Sequence, residues 1–122
     1  MILSSKDKFM EIRQPGSGII AKIRVPGSKS ITQRALIVAS LAEGKSELKG
    51  PLDSEDTRFL RNALSCLGIF IKDKGTNWTI EGQGGRILPV NQDLYLGNNG
   101  TGIRFLTSLV TLGQGTYRLT GT

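Results

Sequence analysis

The side chains best suited to chemistry stand together in Val25-Pro26-Gly27-Ser28-Lys29-Ser30-Ile31-Thr32-Gln33-Arg34-Ala35-Leu36. Ser28, Lys29, Ser30 and Arg34 bring hydroxyls, an ammonium and a guanidinium into one short stretch. Ser30 is expected to cap a helix here, with Gln33 completing a Ser-x-x-Gln box that satisfies two orphan backbone donors. The charges run against the helix dipole. A first turn carries about half a positive charge and ordinarily attracts Asp or Glu, yet Lys29 precedes the expected cap and Arg34 lies one turn inside. A phosphate or carboxylate at this terminus would meet backbone N–H groups, hydroxyls, an ammonium and a guanidinium fork at once. The plain alternative is two solvated side chains snorkelling from the surface, because misplaced charges at exposed helix ends cost only about 0.3–1 kcal/mol.

Two further stretches bear on an anion site. In Leu96-Gly97-Asn98-Asn99-Gly100-Thr101-Gly102-Ile103-Arg104 the glycines let backbone approach a ligand and expose N–H groups at the opening of the next helix. An ordinary turn accounts for the same glycines and asparagines. In Leu52-Asp53-Ser54-Glu55-Asp56-Thr57 the carboxylates sit where a helix dipole favours them. Familiar phosphate motifs fail: Gly44-Lys45-Ser46 has Ala39 where a Walker A loop needs its first glycine. Gly100-x-Gly102 lacks the third glycine of a dinucleotide fingerprint.

The elements that must position these residues follow from periodicity. Ile19, Ala21, Ile23 and Val25 alternate with Lys22 and Arg24, as in a half-buried strand leading into Pro26-Gly27. Ile31, Ala35, Leu36, Val38, Ala39 and Ala42 mark a first helix, expected to stop at Gly44, and Ser46–Lys49 reads as a strand closed by Gly50-Pro51. Phe59, Leu60, Ala63, Leu64 and Leu67 mark a second helix ending at Gly68. Ile69–Lys72 and Trp78–Glu81 read as a hairpin with Trp78 packed inward. Leu94-Tyr95-Leu96, a helix through Ile103, Phe105, Leu106, Leu109 and Val110 to Gly113, and Tyr117–Thr120 repeat the opening pattern. The whole suggests α+β architecture in which a βαβαββ unit is used twice, the second copy stopping halfway at Thr122.

Composition narrows the ligand. The chain has 122 residues, 38% hydrophobic and 21% charged, with a net charge of +6, an ordinary globular balance that favours anionic ligands. There is no histidine, so acid–base work falls to Lys, Asp, Glu or Tyr, and no metal or organic cofactor is expected. The single Cys66 falls in the apolar rhythm of the second helix and is read as a small core residue. No run approaches the 18 or so apolar residues of a membrane span, and no secretory leader is visible; a cytoplasmic protein is expected.

Pro26-Gly27-Ser28-Lys29-Ser30 with Arg34-Ala35-Leu36, followed by the Gly97–Arg104 loop, resembles the amino-terminal portion of the 5-enolpyruvylshikimate-3-phosphate (EPSP) synthase family. The resemblance implies an inside-out α/β fold of two lobes, each of three such units, with the active site in the cleft between them. It further implies that residues 1–26 supply strands to the other lobe, while 27–122 form part of the amino-terminal lobe. The implied reaction moves the carboxyvinyl group of phosphoenolpyruvate to the 5-hydroxyl of shikimate 3-phosphate, releasing phosphate. By position in the motifs, Lys29 touches both substrates and is the catalytic candidate. Ser30 and Arg34 hold shikimate 3-phosphate, Gly100 lies against phosphoenolpyruvate, and Asn98 and Thr101 shape the same loop. Asp56 matches an acidic position near the site, although favouring its own helix start explains it equally well.

Several residues depart from the family pattern. Asn99 stands where alanine or serine is usual, Thr32-Gln33 where serine or threonine and asparagine or histidine are usual, and Phe105 where proline or leucine is common. The carboxylates of the far lobe, and an arginine-rich segment expected after Thr122, are not in this chain, which is therefore expected to be a fragment needing the remaining carboxy-terminal portion of the enzyme. Competing readings are the related UDP-N-acetylglucosamine enolpyruvyl transferase, disfavoured by Lys29-Ser30 and Arg34, and a non-catalytic anion- or RNA-binding module. Scattered basic residues and aromatics confined to apolar patterns speak against RNA; neither nucleic acid nor membrane is expected as a partner.

Overall fold

The computed structural model describes residues 11–122. The helix after Pro26-Gly27 forms as α1 (Lys29–Leu41), but its cap is Ser28, whose backbone is extended and whose Oγ accepts from the Ile31 N–H at 3.4 Å. The box expected between Ser30 and Gln33 does not form. Gln33 is fully buried and bonded to another element, so it has no reach back to the helix end. Nor does Gly44 stop α1. Ala42 is already extended and β1 (Glu43–Lys49) begins at once. The sheet imposes that early exit: β1 pairs antiparallel with β3 (Asn77–Gln83) from Glu43 opposite Gln83 to Lys49 opposite Asn77.

Helix α2 (Glu55–Cys66) is strongly marked at both ends. Ser54 and Thr57 exchange the reciprocal bonds of a capping box, and Glu55 and Asp56 occupy the positive first turn. At the far end the Gly68 N–H reaches the Ser65 carbonyl and the Ile69 N–H reaches the Leu64 carbonyl, both at 3.1 Å. Those are the paired bonds of a Schellman stop. They require Gly68 at φ 93°, where a side chain would cost roughly 1–2 kcal/mol.

The expected hairpin is present as β2 (Phe70–Asp73) and β3, giving the antiparallel order β1-β3-β2. Its loop is held by Asp73, whose Oδ1 accepts from the Gly75 N–H at 2.7 Å. Trp78 and Ile80 alternate inward along the central strand and are fully buried. They join a core built from Leu36 and Ala39 of α1, Leu60, Ala63 and Leu64 of α2, and Leu106 and Leu109 of a later helix. Burying each of the larger side chains is worth about 1.5–3 kcal/mol. Beyond it, β4 (Leu94–Tyr95) and β5 (Leu119–Thr120) pair in parallel across α3 (Gly100–Leu109) and a short 3-10 turn at Val110–Leu112.

The expected strand at Ile19–Val25 is not formed. These residues belong to no strand among the described residues, and Ile20 and Ile23 are 101% and 81% exposed. An alternating segment becomes a strand only against a sheet edge, and it is paired with none here. From α1 to β3 the element order is αβαββ, with no leading strand among the described residues. The α+β class stands, with an antiparallel sheet, a separate parallel pair and helices packed on them. Residues 1–10 of the expected amino-terminal strand region lie outside the described residues.

Candidate active site

The starts of α1 and α2 are brought together by a backbone clamp on Leu52. Its N–H donates to Thr32 Oγ1 at 2.9 Å, and its carbonyl accepts from Thr57 Oγ1 at 2.8 Å. The Pro26-Gly27 turn lies directly on this loop. A Cβ at Gly27 would come within 2.3 Å of the Gly50 carbonyl oxygen and 2.8 Å of the Leu52 nitrogen, so only glycine allows the approach.

From this base Lys29 Nζ reaches Asp56 Oδ2 at 2.7 Å, tying the first turn of α1 to that of α2. The start of α3 joins them through Asn99. Its Oδ1 caps the helix by accepting from the Gly102 N–H at 2.8 Å, and also accepts from Gln33 Nε2 at 3.2 Å. Its Nδ2 donates to the Asp56 carbonyl at 2.9 Å. Three positive helix poles are therefore connected through these side chains, with the α3 start bonded to backbone at the α2 start. The first turns of α1 and α3 contain no acidic residue, leaving Asp56 and Glu55 as the carboxylates of the α2 start.

The expected site residues fall into two groups. Lys29 pairs with Asp56, while Arg34 folds back through Nη1 onto the Ser30 hydroxyl and, at 3.3 Å, the Ser30 carbonyl. Lys29, Ser30 and Arg34 are all exposed. Asn98 and Gly100 line a separate open concavity of about 320 Å³ with Gly97, Ile103, Gly121 and Thr122. Thr101 is half-buried in the first turn of α3. A Cβ at Gly100 would meet nothing within 4 Å, so the glycine is not required by packing. Among the described residues no hydrogen bond joins Asn98 or Thr101 to either cation.

Asn99 and Gln33 link these helix starts, and motif reasoning assigned neither of them to the candidate site. A signal for Gln33 existed: it lies on the same helical stripe as Leu36 and Ser40, and all three are buried. Asn99 carried no such signal, because an asparagine in a glycine-rich loop is equally expected in a plain turn. Perturbed carboxyls lie elsewhere. The Arg58 guanidinium, bonded to Asp53 at 2.8 and 2.9 Å, holds that carboxyl below its ordinary range. Arg61, and then the Gly75 N–H, do the same for Asp73. Those pairs brace α2 and the hairpin.

Taken chemically, the site offers cations, hydroxyls and helix N-termini to a ligand carrying several phosphate or carboxylate groups. The sequence model of the family described as EPSP synthase (3-phosphoshikimate 1-carboxyvinyltransferase) matches residues 13–122. A 3-phosphoshikimate 1-carboxyvinyltransferase from Thiobacillus denitrificans is 44% identical over 100 residues, covering 81% of this chain and 23% of that protein. One from Rhizobium etli is 40% identical over 112 residues, covering 92% of this chain and 27% of that protein. Among solved structures, an EPSP synthase from Acinetobacter baumannii superposes with a TM-score of 0.78 at 31% identity, over 84% of this chain and 23% of that one. The chain thus spans about a quarter of the length of the curated relatives it matches.

Proposed function

The chain belongs to the EPSP synthase (3-phosphoshikimate 1-carboxyvinyltransferase) family, and from that membership we propose that the whole protein transfers the enolpyruvyl group of phosphoenolpyruvate to the 5-hydroxyl of shikimate 3-phosphate. The methylene carbon of phosphoenolpyruvate takes a proton, the hydroxyl attacks the adjacent carbon, and elimination of phosphate restores the double bond. Residues 27–122 form part of the amino-terminal lobe, built from βαβαββ units of which the second is incomplete in this stretch. Residues 1–26 pair with the other lobe. The exposed alternation of Ile19 to Val25 supports that assignment, since it offers an apolar strand face with no sheet beneath it. The protein works in the cytoplasm with no metal or organic cofactor; no helix among the described residues is long and apolar enough to cross a membrane.

Ser30 and Arg34 hold shikimate 3-phosphate, their mutual bond setting the guanidinium beside the hydroxyl. Gly100, with Asn98 and Thr101, receives phosphoenolpyruvate at the N-terminus of α3. Lys29 lies between the substrates, where an ammonium offsets charge developing on phosphate or carboxylate and has a proton to give. Asp56 orients it. The observation that carries this reading is the linkage of Lys29, through Asp56 and Asn99, to the Gly100 loop. Lys29→Ala in the full-length protein is expected to lower kcat by about a hundredfold or more, measured as phosphate release with both substrates. Unchanged turnover would remove Lys29 from the chemistry.

A further inference from the structure

We propose, resting on the enzymatic reading above, that Gln33 and Asn99 form a buried amide pair that sets the Gly100 loop against the Lys29 helix, making both of them positioning residues for the substrate site. The orientation of Asn99 is fixed by backbone: the Gly102 N–H identifies the oxygen and the Asp56 carbonyl identifies the nitrogen. With Oδ1 so placed, Gln33 has to present its Nε2. One side chain therefore caps α3 and joins its first turn to both other helices. A serine at 99 would retain only the cap, and an alanine none of these bonds.

The packing around Asn99 marks the pair as a matched device. Gly102 fits the same arrangement, since a Cβ there would lie 2.4 Å from Asn99 Nδ2; the amide occupies the space a side chain would need. Gln33 is fully buried and its Oε1 has no partner among the described residues. Its bond to Asn99 is accordingly what the structure shows in return for burying a polar amide at that position.

The test uses the full-length protein with Gln33→Met, which keeps the length of the side chain and removes its amide, and Asn99→Ser, which keeps the cap alone. Hydrogen exchange at the Gly102 N–H is read together with KM for each substrate. In Gln33→Met that exchange should accelerate about tenfold, although residue 33 does not touch the amide, and KM for phosphoenolpyruvate should rise about tenfold while that for shikimate 3-phosphate changes less than about twofold. Asn99→Ser should shift the same KM in the same direction. Gly102→Ala approaches the pair from its other side and should reproduce the effect if either of the first variants fails to fold. Unchanged exchange at Gly102, or faster exchange with both KM values unchanged, overturns the proposal. If the wild-type protein releases no phosphate, the enzymatic reading falls on its own, and exchange at Gly102 in Gln33→Met still decides whether the pair holds the loop.

Discussion

At Gly100 the exposed backbone and the empty space beyond it separate a ligand effect from a folding effect. A methyl group added there meets no protein atom within 4 Å, and the residue lies in the first turn of α3, where alanine is better tolerated than glycine. Gly100→Ala is therefore expected to leave the melting temperature unchanged or slightly raised. If phosphoenolpyruvate sits on this helix terminus, its KM should rise about tenfold or more while that of shikimate 3-phosphate is nearly unchanged. Equal losses for both substrates would point to a collapsed loop instead. Gly100, Lys29 and Arg34 stood out in the sequence by type and position, a glycine at the opening of one helix and cations near the positive end of another. The contact between Arg34 and Ser30 was latent in their spacing, four residues along a helix face. The bond between Gln33 and Asn99 was not legible in this way: helical spacing places Gln33 on the buried stripe, but a side-chain bond between residues so distant in sequence has no local signature.

The elements illustrate why some boundaries are visible in sequence and others are not. The start and stop of α2 depend on Ser54, Thr57 and Gly68, all within a turn of the bonds they make. The end of α1 depends on β1 pairing with a strand beyond the next helix, so no residue near Leu41 announces it. Ile19–Val25 has a strand's pattern without a strand's partner. The hairpin supplies an element-scale prediction. Arg61 is ion-paired with Asp73 and stacks 4.4 Å from the Trp78 ring centre. Its hydrogen bond lowers the Asp73 carboxyl below 3.8, so the stabilisation is complete above about pH 4 and fades as pH falls through the lower folded-state value. Arg61→Met should destabilise the protein at pH 7 by about 1–2 kcal/mol, with 1 kcal/mol or less from the partly exposed ion pair and the remainder from the lost stacking. Denaturant unfolding should show this gap narrowing toward pH 2 but not closing, since the stacking does not titrate with Asp73. A gap constant across that range would mean that Asp73 contributes nothing through Arg61.

On the scale of the whole molecule, the three connected helix starts present the site as a surface. Lys29, Ser30, Arg34, Asn98 and Gly100 are all exposed, and the concavity at the start of α3 is open. Water-screened cations bind anions weakly, because the Coulomb attraction of a pair falls about twentyfold between a dry interior and bulk water. Transfer of the enolpyruvyl group needs both substrates enclosed, with charge placed around the transition state, and an open face supplies orientation from one side. The 122-residue chain studied alone is accordingly expected to bind shikimate 3-phosphate only at about millimolar concentration, equivalent to about 4 kcal/mol, and to give no turnover. Amide shifts followed by NMR during titration should concentrate at Ser28 to Arg34, with phosphate release at background when phosphoenolpyruvate is added. Measurable turnover abolished by Lys29→Ala would show that these residues assemble a closed site unaided, for instance through self-association, and the one-sided reading of the site would then be wrong.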